Sequence, residues 1–158
     1  TDPDLLRWVH VAFTDSFLAA HRVWGGPIPG GEDAYVREWA KAGELVGVVD
    51  PPRSVAELRA QLDDFRPDLR GGEPARRMAG FIRNAPIPLA GRPGYAVLFA
   101  GAVSTLSADY LSLLGQPRLP LAVTRPAVGA LLGGLGMALG PTSPSQRAAQ
   151  ARLARLGI

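Results

Sequence analysis

The stretch DPDLLRWVHVAFTDSFLAAH, residues 2–21, decides the fold class. Asp2 is a favourable N-cap, Pro3 suits the first helical position, and Asp4 complements the positive end of the helix dipole. Leu6, His10, Phe13, Phe17 and Trp24 then recur in steps of three, four and seven, which is the period of a helix rather than of a strand. The spacing predicts a helix over residues 3–24, stopped by Gly25-Gly26-Pro27.

The same period continues downstream. A second helix is expected over 32–46, with Tyr35, Val36, Trp39, Gly43 and Val46 on its apolar side and Gly47 as its stop. Ser54 and Glu57 form a capping box for a third helix, whose stripe of Val55, Leu58, Leu62 and Phe65 ends before Pro67. Residues 74–83 read as a shorter helix. NAPIPLAGRPG, 84–94, is an extended connector, because Pro86, Pro88 and Pro93 exclude both helix interior and central strand. Pro93 opens a helix that is apolar from Tyr95 to Val103 and amphipathic on to Leu114, with Gly115 and Pro117 closing it. Pro126 opens or kinks a glycine-rich helix to Leu139, and Ser143-Pro144-Ser145-Gln146 is a capping box for the last one. The expectation is an all-α chain: a single orthogonal-type bundle of six or seven helices, one domain over 1–158, with no significant sheet and no internal repeat.

Composition narrows the function classes. The 158 residues are 47% hydrophobic and 20% charged, which suits a globular core rather than a disordered chain. The net charge of +3 is a small excess, Lys41 is the only lysine, and no basic stripe interleaved with aromatics occurs, so nothing points to nucleic acid. The absence of cysteine excludes disulfides, thiolate metal sites and cysteine nucleophiles. The uncharged run between Arg92 and Asp109 is too short to cross a bilayer, and the run between Arg125 and Arg147 is interrupted by glycines, so no transmembrane span is expected. TDPDLLRW has neither an initiator methionine nor a signal pattern; it reads as a start within a longer protein, with a cytoplasmic location favoured over a secreted one.

Candidate chemistry centres on the two histidines. His10 lies on the apolar stripe, which suits an imidazole coordinating a cofactor iron in a dry pocket and equally suits a neutral core histidine donating to the carbonyl four residues back. His21 is eleven residues on, about 16 Å along the axis, so the two cannot share one metal ion. Asp15 points away from His10, and no HExxH-type spacing exists, so a metal held by protein ligands alone is not expected. GALLGGLGMALG, 129–140, lacks the lysine and preceding strand of a phosphate loop; Gly129 and Gly133 are expected instead to admit a second helix closely. Ser16, Ser104 and Ser112 have no nucleophile-elbow context. Arg147, Arg152 and Arg155 read as a solvated face, while Arg53, Arg66 and Arg70 could reach cofactor carboxylates.

DPDLLRWVHVAFTDSFL, then YVREWAKAGELVGV, then PPRSVAELRAQLDDFRPDLR, and a late apolar helix ending in YLSLLGQP together resemble the MpaB/latex-clearing-protein (rubber oxygenase) catalytic domain family, in particular its C-terminal part. The order and spacing of WVH, DSF, the Glu38-Trp39 pair and PRSVAEL carry the resemblance across nearly the whole chain. It implies an all-helical haem b fold in which His10, the histidine of WVH, is the proximal axial ligand of the haem iron. It also implies an oxidoreductase that works with dioxygen on carbon-carbon double bonds of a hydrophobic, isoprenoid-type substrate. The family domain carries further helices ahead of this segment, including an arginine-bearing one, so an exposed apolar patch beside the first helix is expected. Trp8, Val9, Asp15, Ser16, Phe17, Tyr35, Glu38 and Trp39 match the family pattern without an assigned role. An apolar channel built from Phe13, Phe17 and the Tyr95–Val103 helix completes the expected site. The rival readings are a non-catalytic helical module with His10 in its core, and an apolar-ligand-binding protein without haem.

Overall fold

Asp2 starts the first helix as its chemistry dictates: its carboxylate accepts from the backbone N–H of Asp4 at 3.0 Å and of Leu5 at 3.3 Å. The resulting helix α1 runs Pro3–Trp24 and ends where the Gly25 N–H bonds the His21 carbonyl at 2.7 Å. In the computed structural model, which describes residues 2–140 and 144–157, α2 follows at Gly31–Leu45 and α3 at Val55–Phe65. Ser54 caps α3 through the Glu57 N–H at 3.2 Å, and the Glu57 carboxylate reaches back to the Arg53 N–H at 2.7 Å. The Asp33 carboxylate takes the Val55 N–H at 2.8 Å, which ties the start of α3 to α2. These three helices enclose the main core of Val11, Leu18, Val36, Leu58 and Leu62, edged by Trp8, Tyr35 and Phe65.

Beyond a 3-10 turn at Arg66–Asp68 come α4 (Glu73–Arg83), a second 3-10 turn at Leu89–Gly91, α5 (Arg92–Thr105), α6 (Ala108–Leu114), α7 (Leu121–Leu139) and α8 (Pro144–Arg155). Eight helices and no strand occur among the described residues, so the fold is all-α with a count slightly above the expected six or seven. The extra helix arises because the segment read as one helix from Pro93 to Leu114 breaks at Leu106-Ser107. Ser107 adopts an extended backbone and its hydroxyl caps α6 through the Tyr110 N–H. Ser143 of the proposed last capping box lies outside the described residues.

The glycine-rich segment departs from expectation in two ways. Its helix begins at Leu121, so of the two roles expected for Pro126 it does not open α7 but sits inside it, and the glycines leave the helix unbroken to Leu139. The close packing expected at Gly129 and Gly133 is absent: nothing comes within 4 Å of where their Cβ atoms would lie. The close approach is on the facing helix, where a Cβ on Gly101 of α5 would meet Val128 Cγ2 at 2.7 Å and Trp24 Cη2 at 3.3 Å. The seam is pinned by the Thr124 hydroxyl donating to Ser104 Oγ at 2.8 Å, Ser104 donating to the Gly101 carbonyl at 2.6 Å, and Trp24 Nε1–H donating to the Arg125 carbonyl at 3.1 Å. Among the described residues α7 is the one helix long and apolar enough to cross a membrane by length and composition, and only 11% of that stretch is buried.

Candidate functional site

Three residues of α1 other than His10 are buried, Val11, Thr14 and Leu18, and they define the face turned to α2 and α3. His10 sits at the edge of that face, about one turn from the outward-facing Phe13 and two from Phe17. Its side chain is 7% exposed. The Thr14 hydroxyl donates to the His10 carbonyl at 2.8 Å, the usual outlet for a threonine inside a helix. The imidazole lies against α2 at Gly43, where a Cβ would come within 2.7 Å of Cε1 and 3.0 Å of both ring nitrogens. Only glycine leaves the ring this seat.

The ring nitrogen Nε2 is buried and has no hydrogen-bond partner. The hydrogen bond to a backbone carbonyl that a packed core histidine makes through one of its ring nitrogens is not formed at this atom. Burial also holds the imidazole below the ordinary histidine range, so the neutral form predominates at physiological pH. A neutral imidazole with an uncommitted nitrogen is the form that binds a metal.

Beside His10 the surface of α1 is apolar and open. Phe13 is 55% and Phe17 47% exposed, and Leu5 and Val9 continue the strip toward the helix start. Phe17 stacks on Trp39 of α2, centroids 5.2 Å apart at 20°, and lies 6.0 Å from Phe13. The sequence stripe of Leu6, His10, Phe13, Phe17 and Trp24 is therefore not the core face as a whole: Phe13 and Phe17 look outward, Trp24 packs into the α5–α7 seam, and the core is taken by Val11, Thr14 and Leu18. The expected apolar patch beside the first helix is present.

The family model described as the ER-bound oxygenase mpaB/B′ and rubber oxygenase catalytic domain matches residues 1–151. The chain belongs to this family. No curated protein and no solved structure matches it. Membership places the chain among oxygenase catalytic domains, and so in a family of oxidoreductases.

Seen as a member of the mpaB and rubber oxygenase family, the chain distributes its other candidates unevenly. The channel expected from Phe13, Phe17 and the Tyr95–Val103 helix does not form as one space: Tyr95, Phe99 and Val103 line a separate cavity that includes neither phenylalanine of α1. Trp8, Asp15 and Ser16 line a second cavity of about 310 Å³ with Leu62, Leu106 and Tyr110, on the face of α1 away from His10. There burial raises the Asp15 carboxyl above the usual carboxylate range, against the pull of Arg22 and Arg59.

His21 is a helix-end residue: its Nε2 is 2.9 Å from the Gly26 carbonyl and its ring lies over Gly25. The arginines considered for cofactor carboxylates are engaged elsewhere. Arg53 pairs with Glu44, Arg66 bridges Asp63 and Asp109 at 2.7 Å each, and Arg70 donates to the Pro67 and Leu69 carbonyls. Arg147, Arg152 and Arg155 are exposed along α8. No group of three or more His, Asp or Glu side chains able to hold a metal ion occurs among the described residues. An iron held by a macrocycle asks only one nitrogen of the protein, so His10 fits a haem as donor where it could not fit a zinc ion. Gly43, the seat of that histidine, was legible only as one more residue on an apolar helix side.

Proposed function

We propose that this chain supplies His10 as the proximal axial ligand of a haem b in an oxygenase that acts with dioxygen on a hydrophobic, isoprenoid-type substrate. One observation carries the proposal: the buried, neutral, unpartnered Nε2 of His10 beside the open aromatic strip of Phe13, Phe17 and Trp39. Haem b, when bound, supplies the activation of dioxygen. The chain's own contribution is threefold. His10 offers a nitrogen kept unprotonated by burial, Gly43 and the Thr14 hydroxyl hold the ring and its backbone in place, and the aromatic strip gives the macrocycle and an apolar substrate a surface that sheds water. His10 belongs to the WVH motif on which the family resemblance rests.

Haemin titration of the chain tests this. The expected result is a Soret band that shifts on binding and is lost in His10→Ala, with the helical circular dichroism of that variant retained. An identical haem spectrum in the variant would sink the proposal. A second reading, a packed helical module without haem, draws on the small exposure of His10 and on its absence from the lining of both cavities described above. A chain with full helical dichroism that takes up no haemin supports that reading.

A further inference from the structure

A cavity of about 480 Å³ opens where the end of α4, the connector after it, α5 and the segment after α6 meet. That volume falls within the range of small-molecule sites. The wall is graded. Arg83 and Arg92 are solvent-exposed; Ile87, Phe99 and Leu119 are half-buried; Val103, at the floor, is buried. No acidic side chain lines the space.

Arg22, Arg53, Arg66 and Arg77 each form an ion pair, whereas Arg83 and Arg92 form none among the described residues. The uncharged donors on the wall each already hold one backbone carbonyl. The Tyr95 hydroxyl donates to the Ile82 carbonyl, Asn84 Nδ2 to the Gly80 carbonyl at 2.9 Å, and Gln116 Nε2 to the Leu114 carbonyl at 3.3 Å. Two guanidinium groups without ion pairs are thus the charged handles of a space whose other lining is uncharged. A guanidinium is built to take a carboxylate or phosphate through paired N–H donors, and the floor offers burial to an alkyl or prenyl chain.

We infer that this cavity binds a single-chain anionic amphiphile, with its carboxylate or phosphate head on Arg83 and Arg92 and its tail along Phe99, Val103 and Leu119. The site is formed without His10, and it stands or falls independently of haem. An uncharged apolar molecule of the same length fills the floor and leaves both guanidinium groups unused, so the head should set the affinity.

Calorimetric titration of the chain below the micelle-forming concentration, with laurate, lauryl phosphate and dodecanol, tests this. Either anion is expected to bind about tenfold or more tightly than dodecanol, and the tighter of the two names the head. In the exposed-residue variant Arg83→Gln/Arg92→Gln, whose fold is checked by circular dichroism, that preference should vanish while dodecanol binding holds. Ala96→Trp, which puts an indole into the cavity, should abolish all three. Dodecanol binding as tightly as laurate, a preference that survives loss of both arginines, binding that survives Ala96→Trp, or no binding at all would each overturn the inference.

Discussion

Burial of His10 has a consequence that can be read in solution. The folded chain holds this imidazole below the ordinary histidine range, so the unfolded chain, with a pKa of about 6.5, takes up the proton first as pH falls. The stability that His10 contributes is complete above about pH 7 and is lost as pH drops from about 6.5 through the lower folded-state value. Asp15 has the opposite sign in a more acidic window: its raised carboxyl favours the protonated form, so its contribution is present below the ordinary carboxylate value and lost as pH rises through the folded one. Subtracting a variant separates the two. The urea-unfolding free energy of the native chain minus that of His10→Gln should rise between about pH 5.5 and 7.5; a flat difference contradicts the buried, unpartnered imidazole. His10 was legible in the sequence because WVH and DSF stand in a fixed order around it. Gly43 was not, since a glycine's worth as a seat for a ring 33 positions earlier has no local signature.

At the level of the helices, glycine makes opposite demands on two neighbours. Gly101 lies in the α5–α7 seam, where an added methyl would press into Val128, itself buried and unable to swing aside. Gly129 of α7 faces open space. Gly101→Ala should therefore lower stability by about 1 kcal/mol or more, because overpacking outweighs the gain in helix propensity, while Gly129→Ala should raise it by up to about 1 kcal/mol. Thermal or denaturant midpoints of the two single variants check this, and the same sign for both would contradict the seam. Most helix boundaries were legible, because caps such as Asp2, Ser54 and Gly115 act within four residues of themselves. The glycine roles were inverted, because which of two glycine-bearing helices yields space depends on how they face each other. The break at Ser107 was missed for a related reason: the apolar pattern runs straight through it, and only the hydroxyl cap divides the helix.

Across the molecule, apolar surface remains open on three helices at once. Leu5, Val9, Phe13 and Phe17 line α1; Met78, Phe81 and Ile82 face outward on α4; Leu132, Leu135, Met137 and Leu139 do so toward the end of α7. The amphipathic pattern of α4 alone would place Met78, Phe81 and Ile82 in a core, yet the helix packs through Ala79. Periodicity reveals that a helix has an apolar face but not whether this chain supplies its cover, which is why the fold class was legible and the exposed surface only in part. Single exposed apolar residues are ordinary; contiguous strips drive association. Sedimentation velocity should show an average mass that climbs with concentration. Phe13→Ser/Phe17→Ser should move it toward the monomer by removing the aromatic part of the α1 strip, and should also weaken any haemin uptake. A chain that stays monomeric at every concentration, or associates equally with both phenylalanines replaced, would show that the α1 strip is not an adhesive surface.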